Sequence, residues 1–429
     1  MEVILCGGTV VDPSQNCNGK YDILIRESVI CEIAEKIKPA GRQCVDCTGL
    51  TIIPGLVDVH THLREPGGEE KETILSGSKA AAAGGYTSIT ALPNTQPVLD
   101  SKEKVEQLKV RINNVGLVRI WPVGAITKSL AGDELADIEE MASAGVVAVT
   151  DDGRGVQNAV LARDALKLCA RLGIPFLEHC EEESLAGSGQ VHDGDLSLQM
   201  GLPGITASSE TVMLLRDLIL AQESGAHLHI MHVSCAEAVQ WLRMAKAAGM
   251  KVTSEVTPHH LLLTEAAVKE YGTLAKMKPP LRTERDRHAL VAALAEGTID
   301  LIATDHAPHT SEEKNRDFVS APFGIIGLET AFPLLYTFLV KAGILSLSAL
   351  VDRMSCRPAK LLNIPYGTLK VGSAADLTVV DLQQERIIQP ASFYSQARNT
   401  PFSGWRVSGI PVLTMVGGRI IMRDGQILN

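Results

Sequence analysis

The sequence predicts an α/β fold in which a (β/α)8 TIM-like barrel carries a small β-sandwich domain built from both termini. Between residues 52 and 344, short apolar runs alternate with segments whose apolar residues recur at helical spacing and stop at glycine. Eight such units in one chain favour a closed parallel sheet surrounded by helices. The two ends of the chain differ, because they carry short strand-like segments instead.

The eight predicted barrel strands are the apolar runs that precede the helical segments. They span residues 56–62, 86–94, 117–125, 146–153, 175–180, 227–234, 251–260 and 300–309. Segments such as NAVLARDALKLCARLG and CAEAVQWLRMAKAAG lie between them and have the apolar spacing of helices. Each strand should therefore be followed by a helix that packs outside the barrel.

Strand-like segments at the two ends predict a second, smaller domain. They read VILCGGTVVDP, YDILIRESVICEIA, DLTVVDL and VLTMVGGRIIMRDGQ, and Gly417-Gly418 in the last one favours a hairpin turn. Neither end is long enough to form a stable sheet alone. We therefore expect residues 1–53 and 366–429 to form one composite β-sandwich domain, and residues 54–365 to form the barrel.

The composition excludes several classes of function. The chain has 429 residues, 45% of them hydrophobic, and its net charge of −10 comes without long blocks of one sign, which argues against binding nucleic acid or anionic membranes. The first eleven residues lack signal-peptide features, and no apolar run approaches the ~20 residues of a membrane span. Nine scattered cysteines are typical of reduced thiols. We expect a cytoplasmic protein.

The stretch GLVDVHTHLREPG places three polar residues, Asp58, His60 and His62, at alternate positions of an apolar run. Buried polar groups need partners, and a metal ion would satisfy both imidazoles at once. Other metal-ligand types stand at the ends of other predicted strands, where barrel enzymes place their reactive groups. These candidates are His60, His62, Asp151 or Asp152, His179, His232 and Asp305. The pattern predicts a metal centre.

Alternation along the sixth predicted strand favours His232 as a ligand over His227 and His229, which we expect to be structural or outward-facing. His259 and His260 are at best partners of ligands. Asp58 is best interpreted as a structural carboxylate that supports the ligands.

Imidazole and carboxylate ligands in this number suit two zinc ions, which we expect to be bridged by Asp152, although spacing alone leaves Asp151 open. Two such ions would make a water acidic enough to supply a hydroxide nucleophile near neutral pH. Asp305 is the candidate acid and base, passing a proton from that water to a leaving nitrogen.

The motifs VDVHTHLREPG, ALPNT, TDDG, EHC, HVS, TPHHL, PPLR, TDHAPHTSEEK and FGIIGLETAFPLLYT together resemble the dihydroorotase family, in its long bacterial form, within the amidohydrolase superfamily. The resemblance covers essentially the whole chain. It implies a zinc-dependent barrel with a β-sandwich made from both termini. It also implies reversible cyclisation of N-carbamoyl-L-aspartate to L-dihydroorotate with release of water, the third step of pyrimidine biosynthesis.

The resemblance also implies roles for individual residues. His60, His62, Asp152, His179, His232 and Asp305 match the family's metal ligands, and Asp305 matches its acid/base. Substrate contacts are implied for Arg64, Asn94 and His309, with backbone groups near Phe323 and Gly324 closing over the substrate ring. Arginine suits the substrate's carboxylate charge, since its guanidinium can bind that group bidentately. The polar segment 309–317 is a candidate lid.

Three residues depart from the family pattern. Asp152 stands where many relatives carry a carboxylated lysine, so occupancy of the second zinc site is the weaker expectation. Lys278 stands where many dihydroorotases have asparagine, and either adds a positive charge near the substrate or points to solvent. Cys180, next to His179, is a candidate thiolate ligand if a zinc is missing.

Two other functions compete with this interpretation. A hydantoinase or allantoinase would need the same metal ligands, because it also opens a cyclic amide. An inactive homologue that only scaffolds aspartate carbamoyltransferase could lose ligand histidines, whereas this chain keeps the full set. We expect a small-molecule substrate, a homodimer and an association with aspartate carbamoyltransferase as a further option.

Overall fold

Parallel strands alternate with helices in the middle of the chain, and mainly antiparallel strands occupy both ends, in the computed structural model, which describes residues 2–428. The strands are β1 (Glu2–Asp12), β2 (Cys17–Arg26), β3 (Val29–Ala34), β4 (Gln43–Asp46), β5 (Thr51–Pro54), β6 (Leu56–Asp58), β7 (Tyr86–Ala91), β8 (Arg119–Pro122), β9 (Phe176–Glu178), β10 (Val191–His192), β11 (Gly204–Ile205), β12 (Leu228–Ile230), β13 (Val252–Val256), β14 (Leu301–Ile302), β15 (Leu377–Ile387), β16 (Arg406–Val416), β17 (Arg419–Arg423) and β18 (Gln426–Ile427).

Most of the helices follow the strands of the central region. They are α1 (Ile74–Ala83), α2 (Lys102–Val115), α3 (Ile138–Ala144), α4 (Ala159–Leu172), α5 (Glu183–Ala186), α6 (Asp195–Met200), α7 (Ala207–Ser224), α8 (Ala236–Ala247), α9 (Pro258–Leu262), α10 (Ala267–Tyr271), α11 (Glu284–Glu296), α12 (Ser311–Lys314), α13 (Ala331–Leu335), α14 (Leu347–Val351) and α15 (Arg357–Leu361). Two π-helical stretches, Tyr336–Val340 and Asp352–Cys356, continue α13 and α14.

Capping residues explain where these helices begin and end. The Thr73 hydroxyl accepts a hydrogen bond from the Ser76 backbone at the start of α1, and the Asn158 side chain does the same for the first turn of α4. These caps satisfy backbone N–H groups that have no partner inside the helix. Gly173 ends α4 with a left-handed φ of 71°, as the glycine stop in the sequence predicts.

The two ends of the chain join in one nine-stranded sheet. Its strand order is β18-β17-β16-β15-β5-β1-β2-β3, and β4 also pairs with β1. Strand β5 connects the two ends, because it pairs in parallel with β1 and antiparallel with β15. The pairing therefore joins both ends of the chain in one branched sheet, whereas the sandwich arrangement and the exact domain boundaries remain predictions.

The hairpin predicted at Gly417-Gly418 connects β16 to β17. Both glycines have positive φ, 55° and 76°, which suits a tight turn of this kind. A Cβ at Gly418 would collide with the carbonyl oxygen of Glu27, so the turn also needs glycine for close approach.

The central strands form two parallel sheets that meet at both edges. One sheet has the order β6-β7-β8 and the other β14-β13-β12-β9. Single-residue bridges pair Gly124 with Val149 and Val149 with Phe176, and a further bridge pairs Thr61 with His306. The carboxyl ends of these strands consequently face one common region, which is the position expected for a reactive centre.

The strand predicted over 146–153 is reduced to bridges at Val149, and several other strands are shorter than predicted. Backbone hydrogen bonds still join Val147 to Pro122 and Thr150 to Gly124, so the segment lies between the two neighbouring strands. The chain turns directly afterwards, since the Asp151 carboxylate accepts hydrogen bonds from the backbone of Ile126 and Thr127, and Gly153 has a φ of 92°. The Asp151 side chain thus ends the strand-like pairing and holds the turn that follows it.

Two general expectations concern disulfides and membrane spans. All nine cysteines are free thiols, in agreement with the interpretation of their scattered positions. In the portion from residue 2 to residue 428, we find no helix that combines the length and the apolar character needed to cross a bilayer.

A bidentate ion pair fastens the central strands to the terminal sheet. Arg119 of β8 donates to the buried carboxylate of Asp376 through Nε at 2.6 Å and through a terminal nitrogen at 3.1 Å, and the Gly417 N–H donates to the same carboxylate. Asp376→Asn should lower the free energy of unfolding by about 1–2 kcal/mol, because it leaves these donors poorly paired.

Urea unfolding followed by circular dichroism checks this expectation. Glu385→Gln is the matched control, because its pair with Arg406 is exposed and should contribute less than about 0.5 kcal/mol. Equal stabilities of the two variants would show that the Asp376 pair does not hold the two regions together.

Candidate active site

Four histidines and two aspartates meet in a buried cluster at the carboxyl ends of the central strands. Two groups within it have ligand atoms all within 4.8 Å of one another: His60, Asp152 and His232 in one, and His60, His62 and Asp305 in the other. His179 joins them, since its Nδ1 lies 3.4 Å from Asp152 Oδ1. The structure therefore brings together all six residues that the sequence predicted as metal ligands.

Asp152 lies at the centre of the cluster. Its Oδ1 is 3.4–3.6 Å from ring nitrogens of His60, His179 and His232, and its Oδ2 is 3.4 Å from His62 Nε2. The two oxygens thus face different sets of histidines, as a bridging carboxylate requires. The carboxylate of the neighbouring Asp151 instead accepts hydrogen bonds from Ile126 and Thr127. The geometry therefore favours Asp152 over Asp151 as the bridging residue.

The hydrogen bonding of the cluster fits a bound cation. Within residues 2–428, four buried atoms of the cluster have no hydrogen-bond partner: His60 Nε2, Asp152 Oδ1, His179 Nε2 and His232 Nδ1. His60 Nε2 and Asp152 Oδ1 face each other at 3.6 Å, so a metal ion between them would satisfy both, whereas His179 and His232 face Asp152 through their other ring nitrogens. Imidazole and carboxylate donors are those that zinc and similar divalent ions take.

Glu255 on β13 orients one of the candidate ligands, and the sequence analysis missed it. Its Oε1 accepts from His60 Nδ1 at 2.7 Å, and its Oε2 accepts from His229 Nε2 at 3.0 Å. His60 Nδ1 therefore carries the proton, and its Nε2 lone pair faces Asp152 and Asp305. Burial alone would raise the pKa of Glu255, but the charge of His60 and the two hydrogen bonds lower it to about 2.

Three residues of this site have a strained backbone conformation. Arg64, His232 and Asp305 have φ values of 60°, 30° and 48°, in the left-handed region that side chains other than glycine rarely adopt. Each such residue costs on the order of 1–3 kcal/mol, which the surrounding packing must offset. The strain re-aims side chains at strand ends, where simple alternation no longer holds.

His232 illustrates this limit of alternation. Strand β12 ends at Ile230, and Leu228 and Ile230 pack in the large hydrophobic cluster between strands and helices. His229 is fully buried against Glu255, so it is structural but not outward-facing. His232 reaches the cluster because its backbone leaves the strand. The alternation of side chains along the strand, from which His232 was predicted, therefore does not explain its position.

Asn94 positions a second candidate ligand. Its Oδ1 lies 3.0 Å from His62 Nδ1, and His62 Nε2 lies 3.1 Å from Asp305 Oδ1. With Nδ1 donating to the amide oxygen, His62 presents Nε2 to the cluster. Asn94 also lines a cavity of about 260 Å³ together with Arg64 and residues 67, 68, 70, 71, 95 and 96.

Arg64 and His309 form a second polar group beside the cluster. Arg64 Nε donates to the Pro308 carbonyl at 3.2 Å, and its terminal nitrogen lies 3.4 Å from His309 Nε2. Burial, followed by the positive charge of Arg64, lowers the pKa of His309 to about 3, so its ring is neutral at neutral pH. The arrangement places one permanent cation next to the candidate metal centre.

The remaining predicted substrate contacts are engaged within the protein. Lys278 Nζ pairs with Glu181 Oε1 at 2.6 Å, about a quarter of its side chain is exposed, and it lies 5.6 Å from the Phe323 ring centre. The Gly324 N–H donates to the Lys276 carbonyl, and its own carbonyl accepts from Lys314. These contacts oppose the expectation that the polar groups of Gly324 close over a substrate.

Several other sequence-level interpretations can now be placed. The Asp58 carboxylate accepts from the backbone of His60 and Thr304, as a structural carboxylate would. His260 bonds the Pro279 carbonyl, away from the cluster. Cys180 is buried among apolar residues, and burial raises the pKa of its thiol well above the ordinary range, so a thiolate ligand is disfavoured.

Known structures identify the class of this protein. L-hydantoinase (dihydropyrimidinase) from Arthrobacter aurescens superposes with a TM-score of 0.89 and 27% sequence identity, covering 100% of this chain and 97% of its own. Dihydropyrimidinase from Brevibacillus agri gives 0.89 and 25%, covering 100% and 96%. The fold and the buried His/Asp cluster therefore define a metal-binding α/β hydrolase of the cyclic amidohydrolase kind.

Sequence comparison identifies the family within that class. Residues 49–238 match the Dihydro-orotase-like family model. Dihydroorotase from Shouchella clausii is 48% identical over 430 aligned positions, covering 100% of both chains, and dihydroorotase from Bacillus cytotoxicus is 50% identical over 421, covering 96% of this chain and 98% of its own. The chain belongs to the dihydroorotase family, as its motifs predict.

The Glu255 contact gives a prediction about metal retention. Glu255→Gln should weaken metal binding about 10- to 100-fold, because the His60 ring loses the carboxylate that fixes its tautomer. Competition with a chromogenic chelator measures the affinity. Glu237→Gln removes an exposed carboxylate paired with Arg285 and should leave the affinity unchanged. An unaltered affinity in Glu255→Gln would contradict the orienting role.

Proposed function

We propose that this chain is a zinc-dependent dihydroorotase that interconverts N-carbamoyl-L-aspartate and L-dihydroorotate in pyrimidine biosynthesis. The observation that carries the proposal is the placement of a buried His/Asp cluster directly beside Arg64, Asn94 and His309. The first group can bind the metal, and the second offers a cation and polar donors to a small carboxylate-bearing ring. Family membership supports the same activity.

The fold supports a more specific architecture. We infer that β6, β7, β8, the segment at Val149, β9, β12, β13 and β14 close into an eight-stranded barrel, because bridges join the two parallel sheets at both edges. Residues 54–365 would form this catalytic barrel, and residues 1–53 with 366–429 the second domain.

The four histidines and two aspartates of the cluster are the residues that would hold two zinc ions, and Asp152 would be shared between the ions. His60, His62 and Asp305 would serve one ion, because their ligand atoms form one candidate group, and His179 and His232 the other, because their ring nitrogens meet at Asp152 Oδ1. When bound, zinc would supply Lewis acidity and lower the pKa of the attacking water. Asp152 reaches less far than the carboxylated lysine of many relatives, so we expect lower occupancy at the second ion's site.

Asp305 is the proposed proton carrier. It lies 3.1 Å from His62 and 3.3 Å from His60, at the end of the segment that follows β14. Its carboxylate would accept a proton from the attacking water and hand it to the ring nitrogen that leaves when the amide opens. The reverse transfer would accompany cyclisation and release of water.

Arg64, Asn94 and His309 are the proposed substrate contacts. The Arg64 guanidinium would bind the substrate carboxylate, while the neutral His309 ring and the Asn94 amide fix its orientation. Lys278 is a weaker candidate, because Glu181 neutralises it. The homodimer and the association with aspartate carbamoyltransferase remain proposals from family resemblance.

A hydantoinase or dihydropyrimidinase is the second candidate, and one observation favours it: proteins with those names have TM-scores of 0.89 with this fold. Their names refer to cyclic amides as well. Identity of 46–50% to dihydroorotases against 25–27% to these structures favours the first proposal.

Replacing Asp305 tests the proton transfer. Asp305→Asn should lower kcat for dihydroorotate hydrolysis at least about 100-fold, since the amide cannot accept the proton. The ultraviolet absorbance of dihydroorotate follows the reaction, and metal analysis accompanies each assay. Asp164→Asn changes an exposed helix carboxylate and should keep full activity. Undiminished activity of Asp305→Asn with its metal retained would refute the assignment.

Replacing Arg64 tests the substrate class. Arg64→Lys keeps the charge but loses the bidentate geometry, so KM for dihydroorotate should rise about 10- to 100-fold while hydantoin and dihydrouracil, which lack the carboxylate, should be unaffected. Steady-state kinetics on the three substrates decides. Parent enzyme that turns over hydantoin or dihydrouracil better than dihydroorotate would favour the second candidate.

A further inference from the structure

Two buried lysines, Lys276 and Lys314, lie behind the substrate end of the site, and neither has a role in the proposed function. Only 1% and 3% of their surfaces are exposed. Among residues 2–428, no carboxylate lies within 4.0 Å of either ammonium group. Buried cations are usually paired with an anion, so these two must be stabilised in another way.

Backbone carbonyls surround both ammonium groups. Lys276 Nζ donates to the carbonyls of Phe318, Val319 and Ala321 at 2.7, 3.0 and 2.6 Å. Lys314 Nζ donates to the carbonyls of Pro322, Gly324 and Lys276 at 2.9, 3.1 and 3.5 Å. An ammonium group has three N–H donors, and each one here has a carbonyl acceptor.

Five of the six carbonyls belong to one segment, residues 318–324, which has no regular secondary structure to pair its backbone. The two lysines therefore replace the hydrogen bonds that a helix or strand would provide. The Lys276 ammonium also lies 4.4 Å from the centre of the Phe323 ring, where a cation–π contact adds to the attraction.

Segment 318–324 in turn holds His309. The Phe323 carbonyl accepts from His309 Nε2 at 2.8 Å. The Gly324 carbonyl accepts from Asn399 Nδ2 at 3.1 Å, and Asn399 Oδ1 accepts from the His309 backbone N–H at 3.2 Å. The segment thus fixes both the ring and the backbone of the residue that stands next to Arg64.

We propose that Lys276 and Lys314 are positioning residues that act through segment 318–324. Their ammonium groups hold the Phe323 carbonyl where it fixes the protonated Nε2 tautomer of His309, so that His309 and Arg64 present a preformed substrate-binding surface. The expected effect on KM rests on the proposed function of His309 as a substrate contact. The His309 tautomer and the conformation of segment 318–324 do not rest on it. Substrate affinity, rather than metal binding or proton transfer, depends on the pair.

The kinetic test uses Lys276→Met and Lys314→Met, which keep the length of the side chain but remove the donors. Each should raise KM for dihydroorotate at least about 10-fold and change kcat less than about threefold, with the metal content of the parent. Lys360→Met, an exposed lysine on α15, is the matched control and should behave as the parent. Parent-like KM in both variants, or an equal fall in kcat with metal loss, would overturn the proposal.

Chemical rescue separates the ammonium group from general packing. Lys314→Ala opens a space lined by backbone carbonyls. Methylammonium at tens of millimolar, on the order of the Kd of a weakly bound small ligand, should lower the variant's KM for dihydroorotate. Tetramethylammonium, which has no N–H donor, should leave that KM unchanged. Rescue by neither ion, or by both equally, would contradict the carbonyl contacts as the cause.

A measurement without substrate keeps the inference independent of the proposed function and of variant folding. ¹⁵N spectra of histidine-labelled parent protein, with His309→Gln to assign the signal, should show His309 as the neutral Nε2–H tautomer. The Nδ1–H tautomer or an imidazolium in the parent would overturn the inference. Failure of dihydroorotate turnover together with the expected tautomer would instead count against the proposed function alone.

Discussion

Asp152 occupies a position on which the rest of the site depends. Its carboxylate is buried and lies within 3.6 Å of four imidazole rings that come from three separate segments. A buried carboxylate is costly unless positive charge surrounds it, and the rings are equally costly without an acceptor or a metal. The strands must therefore end where they do, so that the rings and the carboxylate stabilise one another through a shared cation.

Support for this cluster extends outward through hydrogen bonds. Glu255 and Asn94 each take the outer nitrogen of a histidine, which leaves the inner nitrogen facing the cluster. Asp151, one residue from Asp152, ties its own segment to the chain after β8. His60 and His62 are thus each held by a polar partner, which is how the ligands of a rigid metal site are usually oriented.

The sequence was sufficient to predict the inner residues but not their surroundings. His60, His62, His179, His232 and Asp305 could be found because metal-ligand types recur at the ends of apolar runs, a pattern that chance placement rarely produces. Glu255 was missed because a single carboxylate inside a strand has no spacing signal; only its burial identifies it. The fold class was predictable from alternation, whereas the length of the fourth strand was not, because the Asp151 side chain turns the chain directly after Thr150. His232 was chosen by an alternation rule that its left-handed backbone does not obey.

The terminal sheet has a consequence for how the molecule is made. Strand β5, near the start of the chain, has β1 on one side and β15 on the other, with Ile52 facing Val379. During synthesis one edge of β5 remains unpaired until almost the entire polypeptide has left the ribosome, because β15, which pairs with that edge, is among the last segments to emerge. The terminal sheet is therefore completed late in folding. A fragment that ends before β15 would expose an unpaired edge of β5, which could pair with strands of other molecules and cause aggregation.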